Sequence, residues 1–128
     1  MIAYENSDSS GQVIGAAMRV HTVLGPGLLE GAYEACLTHE LRKRGHRVHS
    51  QLPLPVMYDG VQIELGYRID LLVDEAMIVE VKAVAKLVPI HEAQLLSYLR
   101  LSGYRLGLLI NFHVPHLKDG IKRMVNQM

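Results

Sequence analysis

The segment from Met77 to Val84 constrains the fold most. It reads as a near-continuous apolar strand interrupted only by Glu80 and Lys82. Strand alternation puts Ile78, Glu80, Lys82 and Val84 on one face and Val79, Val81 and Ala83 on the other. An unpaired charge in a buried strand is costly. The two charges are therefore either a buried Glu–Lys pair, a face open to solvent, or part of a site built on the strand.

The elements around this strand follow from periodicity and punctuation. Ser10 to Leu24 has helical spacing at Ile14, Ala17, Met18 and His21, with Ser10 as N-cap, and Gly25-Pro26-Gly27 stops it. A second helix is expected over about Leu28 to Arg44. Its inward stripe is Leu29, Tyr33, Leu37 and Leu41, and Gly45 stands at C′. His46 to Tyr58 is extended and carries Pro53 and Pro55, which suits an edge or bulged strand. Asp59-Gly60 signals a hairpin turn. Val61 to Val73 alternates, with Ile63, Leu65, Tyr67, Ile69, Leu71 and Val73 on one face. A helix over about Ile90 to Ser102, a buried strand over Leu106 to Phe112 and an amphipathic helix over about Pro115 to Asn126 complete the chain. The order ααβββαβα predicts an α/β fold with a mixed four-stranded sheet flanked by helices.

Composition narrows the class. The chain has 128 residues, 49% hydrophobic and 20% charged, which suits one globular domain over residues 10–128 behind a flexible polar segment, residues 1–9. No apolar run approaches the ~20 residues of a membrane span, and the N-terminus has no secretory-signal pattern. One cysteine, Cys36, excludes an internal disulfide framework and is expected in the core of the second helix. These features predict a cytoplasmic protein with no membrane contact.

The acids carry the chemistry. If the turn Asp74 to Ala76 has three residues, Val73 pairs with Met77 and Asp70 falls opposite Glu80. Opposed carboxylates repel and one resists ionising. A divalent cation between them removes the conflict, and hard oxygen ligands suit Mg2+ or Mn2+. Lys82 shares that face and could stabilise charge developing on a phosphate oxygen. Glu30 borders the buried stripe of its helix. It is either an exposed first-turn acid favoured by the helix dipole or a third acidic ligand. In the helix over Ile90 to Ser102, His91, Gln94, Leu95 and Tyr98 share a face. That face is either an ordinary surface or a group leaning over the strand acids.

Together these residues resemble the PD-(D/E)XK nuclease superfamily. The pattern is Asp70 followed by Glu80-Val81-Lys82. Gln94-Leu-Leu-Ser-Tyr98 resembles the QxxxY motif of the RecB-like exonuclease branch, and Gly27-Leu-Leu-Glu30-Gly-Ala-Tyr33 resembles the signature of the GxxExxY family. The likeness extends to Gln51, to Gly66-Tyr67-Arg68-Ile69-Asp70 and to Gly107–Phe112, and covers about residues 10–126. Ile69 replaces the superfamily's nominal proline. The resemblance implies a restriction-endonuclease-like core. It also implies that Asp70 and Glu80 ligate the metal with the Val81 carbonyl, and that Glu30 binds a ligand water or a second metal. Lys82 would assist the attacking water, and Gln94 and Tyr98 would position the scissile phosphate. Tyr33, Arg68 and His91 are further candidates. His21 is either a packed, hydrogen-bonded histidine or an upstream metal ligand.

Thirteen Lys and Arg balance thirteen Asp and Glu, so no basic excess draws nucleic acid to the whole surface. The clusters Arg42-Lys43-Arg44 with Arg47, and Lys118, Lys122 and Arg123, are either solvated helix faces or local phosphate contacts. The function expected is a Mg2+- or Mn2+-dependent nuclease acting on nucleic acid, with DNA favoured over RNA. The alternative is a non-catalytic binding or regulatory module of the same fold, completed by a second copy or a protein partner. A metal hydrolase acting on a small phosphorylated molecule ranks last, because no glycine-rich phosphate loop is present.

Overall fold

A computed structural model describes residues 9–126. The polar segment expected to be flexible, residues 1–9, therefore lies outside the described residues except for Ser9. Helix α1 runs Ser10–Leu24 and helix α2 runs Glu30–Lys43. The cap position of α1 is Ser9, not Ser10, and its side chain makes no capping bond. The buried face of α1 is Val13, Ala16, Ala17 and Val20, one step off the expected stripe, and Met18 is exposed. Helix α2 begins later than predicted. Leu29 sits before it in extended backbone and is 84% exposed, while Tyr33, Leu37 and Leu41 are buried as expected. Gly45 takes the expected C′ role with φ of 96°. Its N–H donates to the Arg42 carbonyl and that of His46 donates to the Leu41 carbonyl, the paired bonds of a Schellman ending. Cys36 is exposed, not in the core.

The strands are β1 (Val48–Pro53), β2 (Val56–Tyr58), β3 (Val61–Ile63), β4 (Arg68–Val73) and β5 (Met77–Lys82). Helix α3 (Pro89–Ser102), strand β6 (Leu106–Asn111), a 3₁₀ turn (Leu117–Gly120) and strand β7 (Ile121–Val125) follow. A five-stranded sheet has the order β1-β4-β5-β6-β7. Only β5 and β6 run parallel within it; the other neighbours are antiparallel. The mixed sheet flanked by helices is as predicted, but it has five strands, not four.

The fifth strand replaces the expected last helix. Leu117, Ile121 and Val125 are four apart, which mimics a helical stripe. Strand β6 is buried at every position and would expose a row of unpaired backbone groups in the core without a neighbour. Ile121–Val125 supplies that neighbour. The turn into β7 depends on Gly120, where a Cβ would collide with the Asn111 carbonyl oxygen.

The two long extended segments are also broken. Asp59-Gly60 forms the expected turn, both residues having positive φ, but β2 and β3 make a separate hairpin outside the main sheet. Gly66, at φ of 79°, lies in the irregular stretch between β3 and β4. The single apolar face expected over Ile63–Val73 does not exist. Leu71 and Val73 pack with α1 and α2, whereas Ile69 packs with Leu72 and the α3 side.

Two core layers result. Tyr33, Leu37 and Leu41 of α2 meet Leu71, Val79, Val81, Leu108 and Ile110 on one side of the sheet. Leu95, Tyr98 and Leu99 of α3 meet Ile69, Leu72, Ile78 and Leu109 on the other. Among the described residues no helix is long and apolar enough to cross a membrane.

Candidate active site

The β4–β5 hairpin has the predicted register, with Val73 opposite Met77, Leu72 opposite Ile78 and Leu71 opposite Val79. At the next position the main-chain ladder gives way to side chains. The Asp70 N–H donates to Glu80 Oε2 at 2.9 Å, and the Val81 N–H donates to Asp70 Oδ2 at 2.9 Å. Each carboxylate thus takes the place of a ladder carbonyl. These charge-assisted bonds hold two acids face to face where the strands part. Glu80 is buried, with 4% of its surface exposed.

Helix α2 contributes acids from its first turn and the next. Glu30 is its first residue and Glu34 lies one turn on. Gln51 Nε2 donates to Glu34 Oε2 at 2.7 Å and to Asp70 Oδ1 at 3.3 Å, and Ser50 Oγ donates to Glu34 at 3.3 Å. The bridge depends on a break in β1: Gln51 has φ of 56° and drops out of the pairing with β4. Arg68 Nη1 donates to the Gln51 carbonyl at 3.3 Å and supports that bend. On the α3 side Lys82 Nζ donates to Gln94 Oε1 at 3.4 Å, and Gln94 Nε2 donates to the Tyr98 hydroxyl at 3.1 Å.

The electrostatics follow from crowding acids in a half-closed place. Burial pushes the Glu80 carboxyl up to about 8, helped by the Asp70 and Glu30 charges and opposed by the Asp70 N–H and Lys82. Burial also raises Asp70, against the Val81 N–H, Lys82 and Gln51. Glu30 and Glu34 are raised by burial, and each feels the Asp70 charge. Burial and the Glu80 charge raise the Tyr98 phenol. Among the described residues, Lys82 is the cation that acts on Glu30, Asp70 and Glu80.

A hard divalent cation fits this donor set. It would favour the ionised form of acids whose carboxyls burial raises. Among the described residues no group of three His, Cys, Asp or Glu side chains forms a metal cage. Asp70 and Glu80 are the facing carboxylates that could hold such a cation.

The other candidates divide between site and scaffold. Asp70, Glu80, Lys82, Gln94, Tyr98 and Glu30 are brought together, and Arg68 supports them through Gln51. Tyr33 is fully buried. Its hydroxyl donates to the Gly25 carbonyl at 2.6 Å and accepts from the Leu28 N–H at 3.0 Å, and its ring stacks on Phe112 at 4.7 Å. Tyr33 thus ties down the loop that delivers Glu30. His91 Nδ1 accepts from the Val88 N–H at 3.0 Å and closes the start of α3. His21 Nε2 donates to the Val114 carbonyl at 2.7 Å, the hydrogen-bonded arrangement. Of the basic clusters, Arg42 donates to the Val48 carbonyl and Arg44 pairs with Glu40. Sequence reasoning missed Glu34 altogether and gave Gln51 no role. The available signal for Glu34 was its i+4 spacing from Glu30.

A family model for the PD-(D/E)XK nuclease superfamily matches residues 7–124. No curated protein and no solved structure matches the chain.

Proposed function

The chain belongs to the PD-(D/E)XK nuclease superfamily, and from that premise we propose that it is a Mg2+- or Mn2+-dependent nuclease hydrolysing phosphodiester bonds. We place it with the GxxExxY proteins, near the RecB-like exonucleases, because Glu30, Gln94 and Tyr98 gather around Asp70 and Glu80. The observation that carries the proposal is the opening of the β4–β5 ladder at Asp70 and Glu80, with Lys82 beside it.

Asp70 and Glu80, with the Val81 carbonyl, would hold the metal, and Glu30 would extend the acidic surround. Such an ion lowers the pKa of a water and neutralises phosphate charge. The chain's own residues do the rest. The Asp70 and Val81 N–H groups fix the two carboxylates, so little reorganisation is needed when charge develops. Lys82 offers an ammonium to the phosphate or to the attacking water. Gln94 holds both Lys82 and Tyr98, which aligns all three polar heads on one side of the acids. Nucleic acid is the substrate, DNA before RNA. The balanced charge of the chain argues for help in gripping it from a second copy or a protein partner.

The test is cleavage of single- and double-stranded DNA and RNA with Mg2+ or Mn2+, by wild type, Asp70→Ala and Lys82→Ala, with circular dichroism to verify folding. Metal-dependent cleavage lost in both folded variants is expected. Unchanged cleavage in both would place the chemistry elsewhere. Substrate shifted in gels but never cut would favour the non-catalytic module.

A further inference from the structure

The stretch of chain leading to β4 exposes large apolar side chains that the core does not use. Leu65 is 56% and Tyr67 is 45% exposed in the irregular stretch before β4. The adjoining β2–β3 hairpin exposes Met57, Tyr58 and Val61. Tyr67 is tied directly to the site. Its ring lies 6.2 Å from that of Tyr98, inclined by 46°, and Tyr98 holds Gln94, which holds Lys82. Its backbone is anchored, since the Tyr67 carbonyl accepts the Leu54 N–H at 2.8 Å. An exposed aromatic ring therefore stands on fixed main chain, one side chain away from the proposed machinery.

Charge says what such a ring is for. The chain has no net positive charge, and at the site three carboxylates, Glu30, Asp70 and Glu80, share the Lys82 ammonium. Phosphate attraction, the usual source of sequence-independent affinity, is weak here. Base stacking on an aromatic ring supplies affinity without charge and without sequence preference. An unpaired strand offers free base faces along its length, whereas bases inside a duplex already stack on one another.

We propose that Tyr67 is a stacking platform that delivers an unpaired strand of nucleic acid to the acid cluster, so that the substrate is single-stranded. This rests on the nuclease reading above. The shared chemistry is the exposed base, whether the strand is DNA or RNA.

The experiment uses the full chain and a short fluorescent thymidine homopolymer, alone or paired with its adenosine complement, and the matching uridine homopolymer. Binding is followed by anisotropy with Ca2+ and cleavage with Mn2+. Wild type should prefer the unpaired strand. Tyr67→Leu should weaken that binding about fivefold, the low end for one base–aromatic stack. The same variant should raise KM by a similar factor at unchanged kcat. Tyr67→Phe should keep wild-type values, because the ring is retained, and duplex values should not move. Equal losses on both substrates, no loss, or a loss shared by Tyr67→Phe would overturn the proposal. A ring-dependent preference for either sugar, or for both alike, supports it and assigns the strand. Photocrosslinking of a bromodeoxyuridine strand to wild type gives a test without a variant. Attachment at Tyr67 supports the platform and attachment only elsewhere overturns it. Tyr67-dependent binding with no cleavage would sink the nuclease reading alone. Tyr67-independent cleavage would sink the platform alone.

Discussion

The two ends of the β4–β5 hairpin both carry acids, and the acids behave oppositely. At the turn, Asp74 Oδ2 accepts from His46 Nδ1 at 2.7 Å and Oδ1 accepts from the Arg47 N–H at 2.8 Å. Burial pushes Asp74 up, but those hydrogen bonds and the neighbouring cations hold it below the usual carboxylate range. Glu75 pairs with His49 at 3.0 Å. At the open end, Asp70 and Glu80 face each other and both are raised. The residue types are the same and the strands are the same. An acid supplied with cationic partners serves the scaffold, whereas acids crowded together store a demand for a cation.

The comparison can be broken most sharply by exchanging acids for amides at each end. Asp70→Asn should reduce cleavage by about a thousandfold or more while the protein stays folded. Asp74→Asn should leave kcat untouched. Steady-state kinetics with circular dichroism decides between them, and similar activity losses from both would erase the distinction.

Next in size is the pH response of Glu80. Its folded value, about 8, lies above the ordinary 4.5, so the folded state holds the extra proton. The stability it contributes is complete below about 4.5 and is lost as pH rises through about 8. Thermal melts should show wild type weakening across that window and Glu80→Gln staying flatter. Mn2+ at pH near 8 should restore the wild type and help Glu80→Gln far less. Parallel profiles for the two proteins would show that Glu80 does not titrate this way.

Smaller effects lie at the turn. Asp74→Ala removes the acceptor for two donors and should cost about 1–3 kcal/mol in urea unfolding near neutral pH. Glu75→Ala breaks a pair in which both side chains are about half exposed, and should cost at most about 1 kcal/mol, less in high salt. A larger loss from Glu75 than from Asp74 would reverse the ranking.

Much of this was legible from local pattern. The helices over residues 10–24, 30–43 and 89–102 follow from periodicity and from glycine stops, which act within a turn or two. The opposition of Asp70 and Glu80 followed from counting a three-residue turn, because register propagates along a hairpin. The last strand was not legible, since Leu117, Ile121 and Val125 satisfy a helical spacing and only the bare edge of β6 makes a strand the better answer. The division of Ile69 from Leu71 was equally hidden, because regular alternation puts them on one face and they part where the ladder breaks at Asp70.

The sequence by itself determined an α/β chain, a buried strand bearing Glu80 and Lys82, an acid set across from it, and a tyrosine and glutamine on one helical face. Those are properties of neighbours along the chain. Only tertiary structure decided that Glu34 and Gln51 join Asp70, that Tyr33 ties down the loop before Glu30, and that Tyr67 stands against Tyr98. Each of these contacts joins residues whose meeting depends on how helices and strands pack, and packing is set by the whole core together.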